Sequence, residues 1–288
     1  MTRPLLYRII RKDPKLNHIY ELTAAEYARY FTISPQRAKV LYQDLHDTQL
    51  VQSIEQDLKK YKVLTIMDDV YPAILKTIKD PPFVLYLLGN LKLLEKNPTI
   101  SIVGTRRPTS EAKRKIDRIV GPLARNGWVI VSGMALGIDG FAHRVAIENE
   151  GDTIAVVGGG FNHIYPPQHR DLFHQLAEKH LIITEYSPDV QPRRYYFPER
   201  NRIISGLSFG TLVIEAKERS GSLITVDQAL DQGREVYAVP GSPLMEQTSG
   251  CHKMIQDGAK LVQNAYDLLE EWESNEGKWC RLLSDLKE

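Results

Sequence analysis

The 288 residues carry 37 Lys+Arg against 36 Asp+Glu, a formal charge of +1, with 42% hydrophobic and 25% charged residues. This is the balance of a globular chain long enough for one large core and a smaller companion; it excludes a uniformly basic protein, so any nucleic-acid binding must come from a local patch. Two cysteines, Cys251 and Cys280, exclude a disulfide framework and a cysteine metal cluster, and no run has the apolar length of a membrane span or signal peptide, so a cytoplasmic location is expected.

In chain order, the first segment reads as small and helical. Thr23 with Glu26 has the spacing of a capping box. Ser34-Pro35 marks a second helix start, and Ala38, Leu41, Tyr42 and Leu45 then share one face. This predicts a helical-hairpin domain over residues 1–60, with DNA backbone and protein both open as its contacts. Residues 61–98 carry strands near Val63–Ile66 and Phe83–Leu88, broken by Pro72, Pro81 and Pro82, and are expected to add edge strands to the next sheet.

From Thr99 the pattern becomes strand, glycine turn, helix. Strands are predicted over Thr99–Val103, Trp128–Val131, Thr153–Val157, Leu181–Thr184, Gly210–Ile214 and Glu235–Val239. Helices are predicted over Ala112–Leu123, Ile138–Ile147, His169–Glu178 and Val226–Leu230, with Ala259–Val262 and Ala265–Trp272 returning to the same domain. Apolar strands alternating with helices predict an α/β fold, an extended Rossmann-like domain with a predominantly parallel sheet spanning 61–288. Ligands gather beyond the carboxyl ends of such strands. Gly104-Thr105-Arg106-Arg107, Ser132-Gly133, Gly158–Gly160, Ser205-Gly206 and Phe209-Gly210-Thr211 are placed there, and together they predict an anion-binding rim.

Residues 193–202 concentrate chemistry: four arginines, three aromatics and one acid in ten positions. Arginine supplies fixed phosphate donors and exposed rings stack on bases, although a surface turn packing its rings inward is an equal reading of the segment alone. No complete Gly-x-Gly-x-x-Gly fingerprint or phosphate-loop motif occurs, so nicotinamide chemistry and P-loop hydrolysis lack their usual basis. Asp139 and His143 share a helix face, but two residues do not make a metal site. Glu185 and Glu215 follow strands, where they could act in catalysis or orient arginines. Cys251 beside His252 does not by itself make a nucleophile and base. Ser220-Gly221-Ser222-Leu223-Ile224-Thr225 reads as a helix start or an anion contact.

Several segments recur together in one family. They are Ser101-Ile102-Val103-Gly104-Thr105-Arg106, Ser132-Gly133-Met134-Ala135-Leu136-Gly137-Ile138-Asp139-Gly140 with Ala142-His143, and Tyr165-Pro166. Phe197-Pro198-Glu199-Arg200-Asn201-Arg202-Ile203-Ile204-Ser205-Gly206, Glu215-Ala216, Ser220 to Thr225 and Ala238-Val239-Pro240-Gly241 continue the series. By these motifs, over roughly residues 65–265, the chain resembles the DNA-processing protein A (DprA/Smf) family.

The resemblance implies a non-catalytic protein that binds single-stranded DNA, protects incoming DNA and loads the RecA recombinase in natural transformation, in interplay with single-stranded DNA-binding protein. It implies no cofactor and no metal. Carried over by motif, the DNA-binding positions are Gly104, Arg106, Ser132, Gly133, Arg194, Phe197, Arg200, Asn201 and Arg202, with Arg106 on phosphate and Phe197 stacked on a base. A homodimer through the region of His252, Met254 and Ile255 is also implied. Departures occur at Ser187–Pro192, which lacks a glycine frequent in the family, and at Gly250-Cys251-His252, where the family has Gly-Thr-Asn/His. Some relatives carry a C-terminal winged helix, and the stretch up to Glu288 is expected to be too short to contain one. A nucleotide-processing enzyme of related fold, suggested by Phe209-Gly210-Thr211 with Glu215, and a protein-binding adaptor remain the competing readings.

Overall fold

The computed structural model describes residues 3–286 and divides into two compact units between Lys60 and Tyr61. In the first unit, α1 (Arg3–Lys12), α2 (Ala24–Tyr30), α3 (Pro35–Leu45) and α4 (Thr48–Lys60) are all helical. Thr23 and Glu26 cap α2 reciprocally, and Ser34 caps α3 with Pro35 behind it. Leu5, Ile9, Ile19, Tyr27, Phe31, Ala38 and Leu41 form the core. The buried Asp13 carboxylate closes the α1–α2 connection by accepting from the amides of Asn17 (3.1 Å), His18 (2.9 Å) and Ile19 (3.0 Å).

The second unit is a nine-stranded sheet. Its strands are β1 (Lys62–Thr65), β2 (Val84–Gly89), β3 (Thr99–Val103), β4 (Val129–Ser132), β5 (Thr153–Val156), β6 (Leu181–Thr184), β7 (Gly210–Val213), β8 (Glu235–Ala238) and β9 (Lys260–Leu261). The order across the sheet is β1-β2-β6-β5-β4-β3-β7-β8-β9. β2 pairs antiparallel with both β1 and β6, whereas the seven strands from β6 to β9 run parallel. Residues 61–98 thus supply an antiparallel edge to a parallel sheet.

Among the described residues eight α-helices accompany the sheet: α5 (Ala73–Lys76), α6 (Ala112–Arg125), α7 (Ile138–Glu148), α8 (Arg170–Lys179), α9 (Tyr196–Gly206), α10 (Ser222–Asp231), α11 (Ser249–Gln256) and α12 (Ala265–Asp285). The central strands β3 to β7 are buried at every residue and largely apolar because both faces are covered. Val129, Val131, Ile154, Val156, Val213, Val236 and Ala238 pack toward Ile203, Ile204, Val226 and Met254 of α9, α10 and α11. The alternate residues Ile100, Ile102, Ile130, Leu212 and Tyr237 pack toward Ile116, Leu123, Val145 and Trp272 of α6, α7 and α12.

Three local expectations change. The arginine-rich segment is a turn only at Arg194-Tyr195, closed by the Tyr196 amide donating to the Arg193 carbonyl oxygen; it then runs into α9, which holds Arg200 and Arg202 on its buried side. The last helix continues well beyond Trp272 because Trp279 packs against Phe209. Ser205-Gly206 and Phe209-Gly210-Thr211 lie before β7 or at its start, so they belong to the amino end of the sheet and not to the rim.

Candidate nucleic-acid groove

The direction of strand succession reverses beside β3: β4, β5 and β6 lie on one side and β7 and β8 on the other. The connections leaving the carboxyl ends of β3 and β7 therefore part and leave a crevice, the usual ligand position in such sheets. Here it is an open groove of about 960 Å³. One bank is Gly104–Arg107, Tyr165 and the start of α9; the other is Lys217–Thr225, which leads into α10. Gly104 is required where the banks meet: a Cβ there would lie 2.5 Å from Ile138 and 2.8 Å from the Glu215 carbonyl oxygen.

The charge of the groove is one-sided. Arg106, Arg107, Arg194, Arg200, Lys217 and Arg219 line it, against Asp139 alone among acids. α7, α9 and α10 all begin at this end of the sheet, and helix amino ends favour anions.

Asp139 and Arg200 form the floor. The Asp139 carboxylate accepts from the Gly133 amide at 3.1 Å, and burial raises its pKa against the opposing pull of Arg200 and Arg106. Arg200 is 4% exposed, and its Nη1 donates to the Val156 carbonyl oxygen. Burial lowers its pKa to about 10, with Asp139 opposing the shift, so the guanidinium remains charged at neutral pH. Gly133 permits this approach, since a Cβ there would lie 1.9 Å from Arg200 Nη1.

Above the floor is an aromatic step. The half-buried Phe197 ring lies 5.3 Å from the Tyr165 ring, and the Arg106 guanidinium stands 5.5 Å over it. A Cβ on Gly158 would come within 2.9 Å of Phe197, so the glycine seats the ring. Tyr165 is 45% exposed and extends the aromatic surface outward. Tyr196 turns aside to stack on Tyr186 at 4.0 Å, whose hydroxyl donates to Glu199. Tyr195 is exposed and accepts from Arg193.

The sequence candidates therefore separate. Gly104, Arg106, Arg194, Phe197, Arg200 and Asn201 line the groove together. Ser132 and Gly133 are buried beneath it, Ser132 donating to the Ile102 carbonyl oxygen at 2.6 Å. Gly158–Gly160 are buried as well, under Phe197 and the 187–192 segment, and so seat side chains instead of exposing amides. Arg202 faces away. Its Nη2 donates to both carboxylate oxygens of Glu185 at 2.8 Å, and its other nitrogens donate to the carbonyl oxygens of Asp80 and Glu199. It ties α9 to β6. On α11, Met254 is in the core, Ile255 is partly buried against it and His252 contacts Gly241.

Glu215 is fully buried and engaged. It accepts from the Thr109 amide (2.8 Å), the Thr109 hydroxyl (2.7 Å) and Lys115 Nζ (2.7 Å), and so holds the loop that carries Arg106 and Arg107. His143 does not join Asp139: it packs inward, with Nδ1 against the Thr153 hydroxyl at 2.6 Å, and burial lowers its pKa to about 3. Because that hydroxyl donates to the Ile130 carbonyl oxygen, His143 is the donor to Thr153. Burial also pushes the Cys251 thiol up to about 11, which disfavours the nucleophilic thiolate. Among the described residues no His/Cys/Asp/Glu group is arranged to hold a metal ion, and no helix is long and apolar enough to cross a membrane.

From the sequence, Arg107 falls on the anion rim and Tyr165 among the recurring motifs, with no contact of its own assigned to either, and Lys217 and Arg219 are not singled out. The signal for the last two was present: Lys217-Glu218-Arg219 follows the end of β7 after three intervening residues and precedes the Ser220-Gly221-Ser222 turn, on the far bank of the switch point.

Comparison with known proteins agrees with this architecture. A model of the DNA recombination-mediator protein A family matches residues 62–273. The DNA processing protein DprA of Bacillus subtilis is 49% identical over 208 residues, 72% of this chain and 70% of its own. That of Streptococcus pneumoniae is 44% identical over 220 residues, 76% of this chain and 77% of its own. The X-ray structure of the S. pneumoniae protein aligns with a TM-score of 0.85 at 38% identity, covering 94% of this chain and 93% of that one. DNA processing protein A from Helicobacter pylori, solved for its single-stranded DNA binding mode, aligns with a TM-score of 0.67 at 29% identity, covering 75% of this chain and 97% of that one. With the family model covering the whole parallel sheet and its groove, the chain belongs to the DNA recombination-mediator protein A (DprA/Smf) family.

Proposed function

We propose that the groove binds single-stranded DNA with little sequence preference, and that the protein uses this binding to protect incoming strands and load RecA during natural transformation. The observation that carries the reading is the pairing of six basic side chains with the Phe197–Tyr165 step in one open groove. Phosphates supply affinity through Arg106, Arg107, Arg194, Lys217 and Arg219, while unpaired bases stack on the rings, which every base can do. A duplex keeps its bases stacked on one another and cannot use the step. Arg200 and Asn201 shape the floor, Gly104 allows the backbone to approach, and Ser132, Gly133 and Arg202 support the groove from behind.

The role needs no bond-making chemistry. The full engagement of Glu215 by Thr109 and Lys115 supports a non-catalytic reading over nucleotide hydrolysis. The proposed role would be carried out in the cytoplasm, with RecA as a partner and in functional interplay with single-stranded DNA-binding protein. A homodimer through the α11 region, with His252 and Ile255 partly exposed at the surface and Met254 backing them from the core, would present two grooves to one strand.

The test compares purified protein on labelled oligothymidine and on a duplex of equal length by fluorescence anisotropy, then follows RecA assembly on strands coated with single-stranded DNA-binding protein. Preference for the single strand with faster RecA assembly is expected. Equal affinity for the duplex would contradict the groove reading, and single-strand binding without RecA assembly would contradict the loading role.

A further inference from the structure

The amino ends of β7 and β8 carry a second polar recess, at the opposite end of the sheet from the groove. It holds about 180 Å³ between Phe209, Gly233, Arg234, Glu235, Asn275, Lys278, Trp279 and Leu282. Its central feature is Arg234, which is 6% exposed. Nη2 donates over long distances to the Ile74 carbonyl oxygen (3.4 Å) and the Thr77 hydroxyl (3.3 Å), and Nε has no acceptor among the described residues. Burial lowers the arginine pKa to about 10, and among the described residues no carboxylate pairs with it, so within them a charged guanidinium lies buried without a counter-ion.

That situation contrasts with the chain's other buried arginines. Arg202 has Glu185, and Arg200 has Asp139 nearby. The acid nearest to Arg234 in sequence, Glu235, pairs with Lys260 at 3.3 Å. Buried charge is costly unless paired, and a guanidinium fork matches a carboxylate or phosphate. The wall behind it is fixed: Arg234 lies 5.2 Å over the Trp279 ring, whose Nε1 donates to Asn97 and which makes a T-shaped contact with Phe209. Lys278 stands exposed on the rim and adds a second cation.

We infer that this recess is a site for a small oxyanion, a phosphate or carboxylate group, held between the Arg234 guanidinium and Lys278 over the Trp279 ring. It is separate from the DNA groove and independent of the function proposed for that groove.

The test is NMR on the full ¹⁵N-labelled chain, titrated with inorganic phosphate in one arm and acetate in another, with sodium chloride at matched ionic strength as the control. The reporters are the Arg234 Nε–H signal, identified by its loss in Arg234→Lys, and the Trp279 indole signal, identified by Trp279→Phe. Saturable movement of both in either anion arm, absent with chloride, is expected, and the arm that saturates first assigns the ligand class. Lys278→Gln, an exposed change that leaves the fold intact, should weaken binding by about fivefold. Movement that is unsaturable, or equal in chloride, would overturn the site and leave Arg234 as a structural clamp. A Lys278→Gln titration superimposable on that of the parent protein would overturn the lysine's part in it.

Discussion

Replacing Phe197 with alanine should weaken single-strand binding while leaving the protein folded. The ring is half-buried, seated on Gly158 and flanked by Tyr165 at 5.3 Å, with part of its surface open to the groove. Base-on-ring stacking contributes about 1–3 kcal/mol per base, so losing one step should raise Kd by roughly 5- to 150-fold. The folding cost should be about 1–2 kcal/mol, because only part of the ring's surface is removed from water. Anisotropy titrations with labelled oligothymidine over a salt series measure the binding, and urea unfolding measures the stability. The dependence of log K on log salt should stay unchanged, since no phosphate contact is removed. Phe197→Tyr, which keeps the ring, should bind within about twofold of the parent. Normal affinity in a folded Phe197→Ala protein would refute the stacking step, and a large loss of salt dependence would show that the ring acts only by holding Arg106.

The other expectations separate groove from support. Arg106→Ala should reduce the salt slope by about 0.7 for the one single-strand phosphate contact removed, read from the same titrations. Arg202→Ala should instead destabilise the second unit by roughly 2–4 kcal/mol in urea unfolding, because it removes the bidentate pair with Glu185 and the bonds to the Asp80 and Glu199 carbonyls, while leaving the salt slope of the folded fraction intact. Asp13→Ala should destabilise the helical unit by about 2–4 kcal/mol, since three amides lose their acceptor; its thermal melting reads this. His143 has a folded pKa of about 3, lowered by burial from an ordinary 6.5, so the unfolded chain binds the extra proton. Its contribution to stability is fully present above about pH 6.5 and falls by about 1.4 kcal/mol per unit as the pH drops toward 3. Urea unfolding at a series of pH values should show this slope in the parent and a shallower one in His143→Asn.

The central strands β3 to β7 were legible in the sequence because they are buried on both faces and read as short, largely apolar runs. The groove position followed from the same pattern, since Gly104-Thr105-Arg106 ends a strand. Side-chain direction within α9 was not legible. Arg200 and Arg202 are two apart, yet one forms the groove floor and the other ties the helix to β6, a difference set by Glu185 and Asp80 from distant segments. The glycine-rich turns misled in part: Gly158 and Gly160 are small because Phe197 and the Ser187-Pro188 backbone press on them, not because a phosphate does. Lys217 and Arg219 were overlooked because the bank they form exists only once β7 pairs with β3.

The central claim is that single-stranded DNA lies across the Phe197–Tyr165 step. Photocrosslinking of the full chain to an oligonucleotide carrying 5-bromouracil, followed by peptide mass spectrometry, tests it most directly. Crosslinks should fall on Phe197 or Tyr165 and should be competed by unlabelled single strands but not by duplex. Crosslinks confined to residues outside the groove would contradict the account.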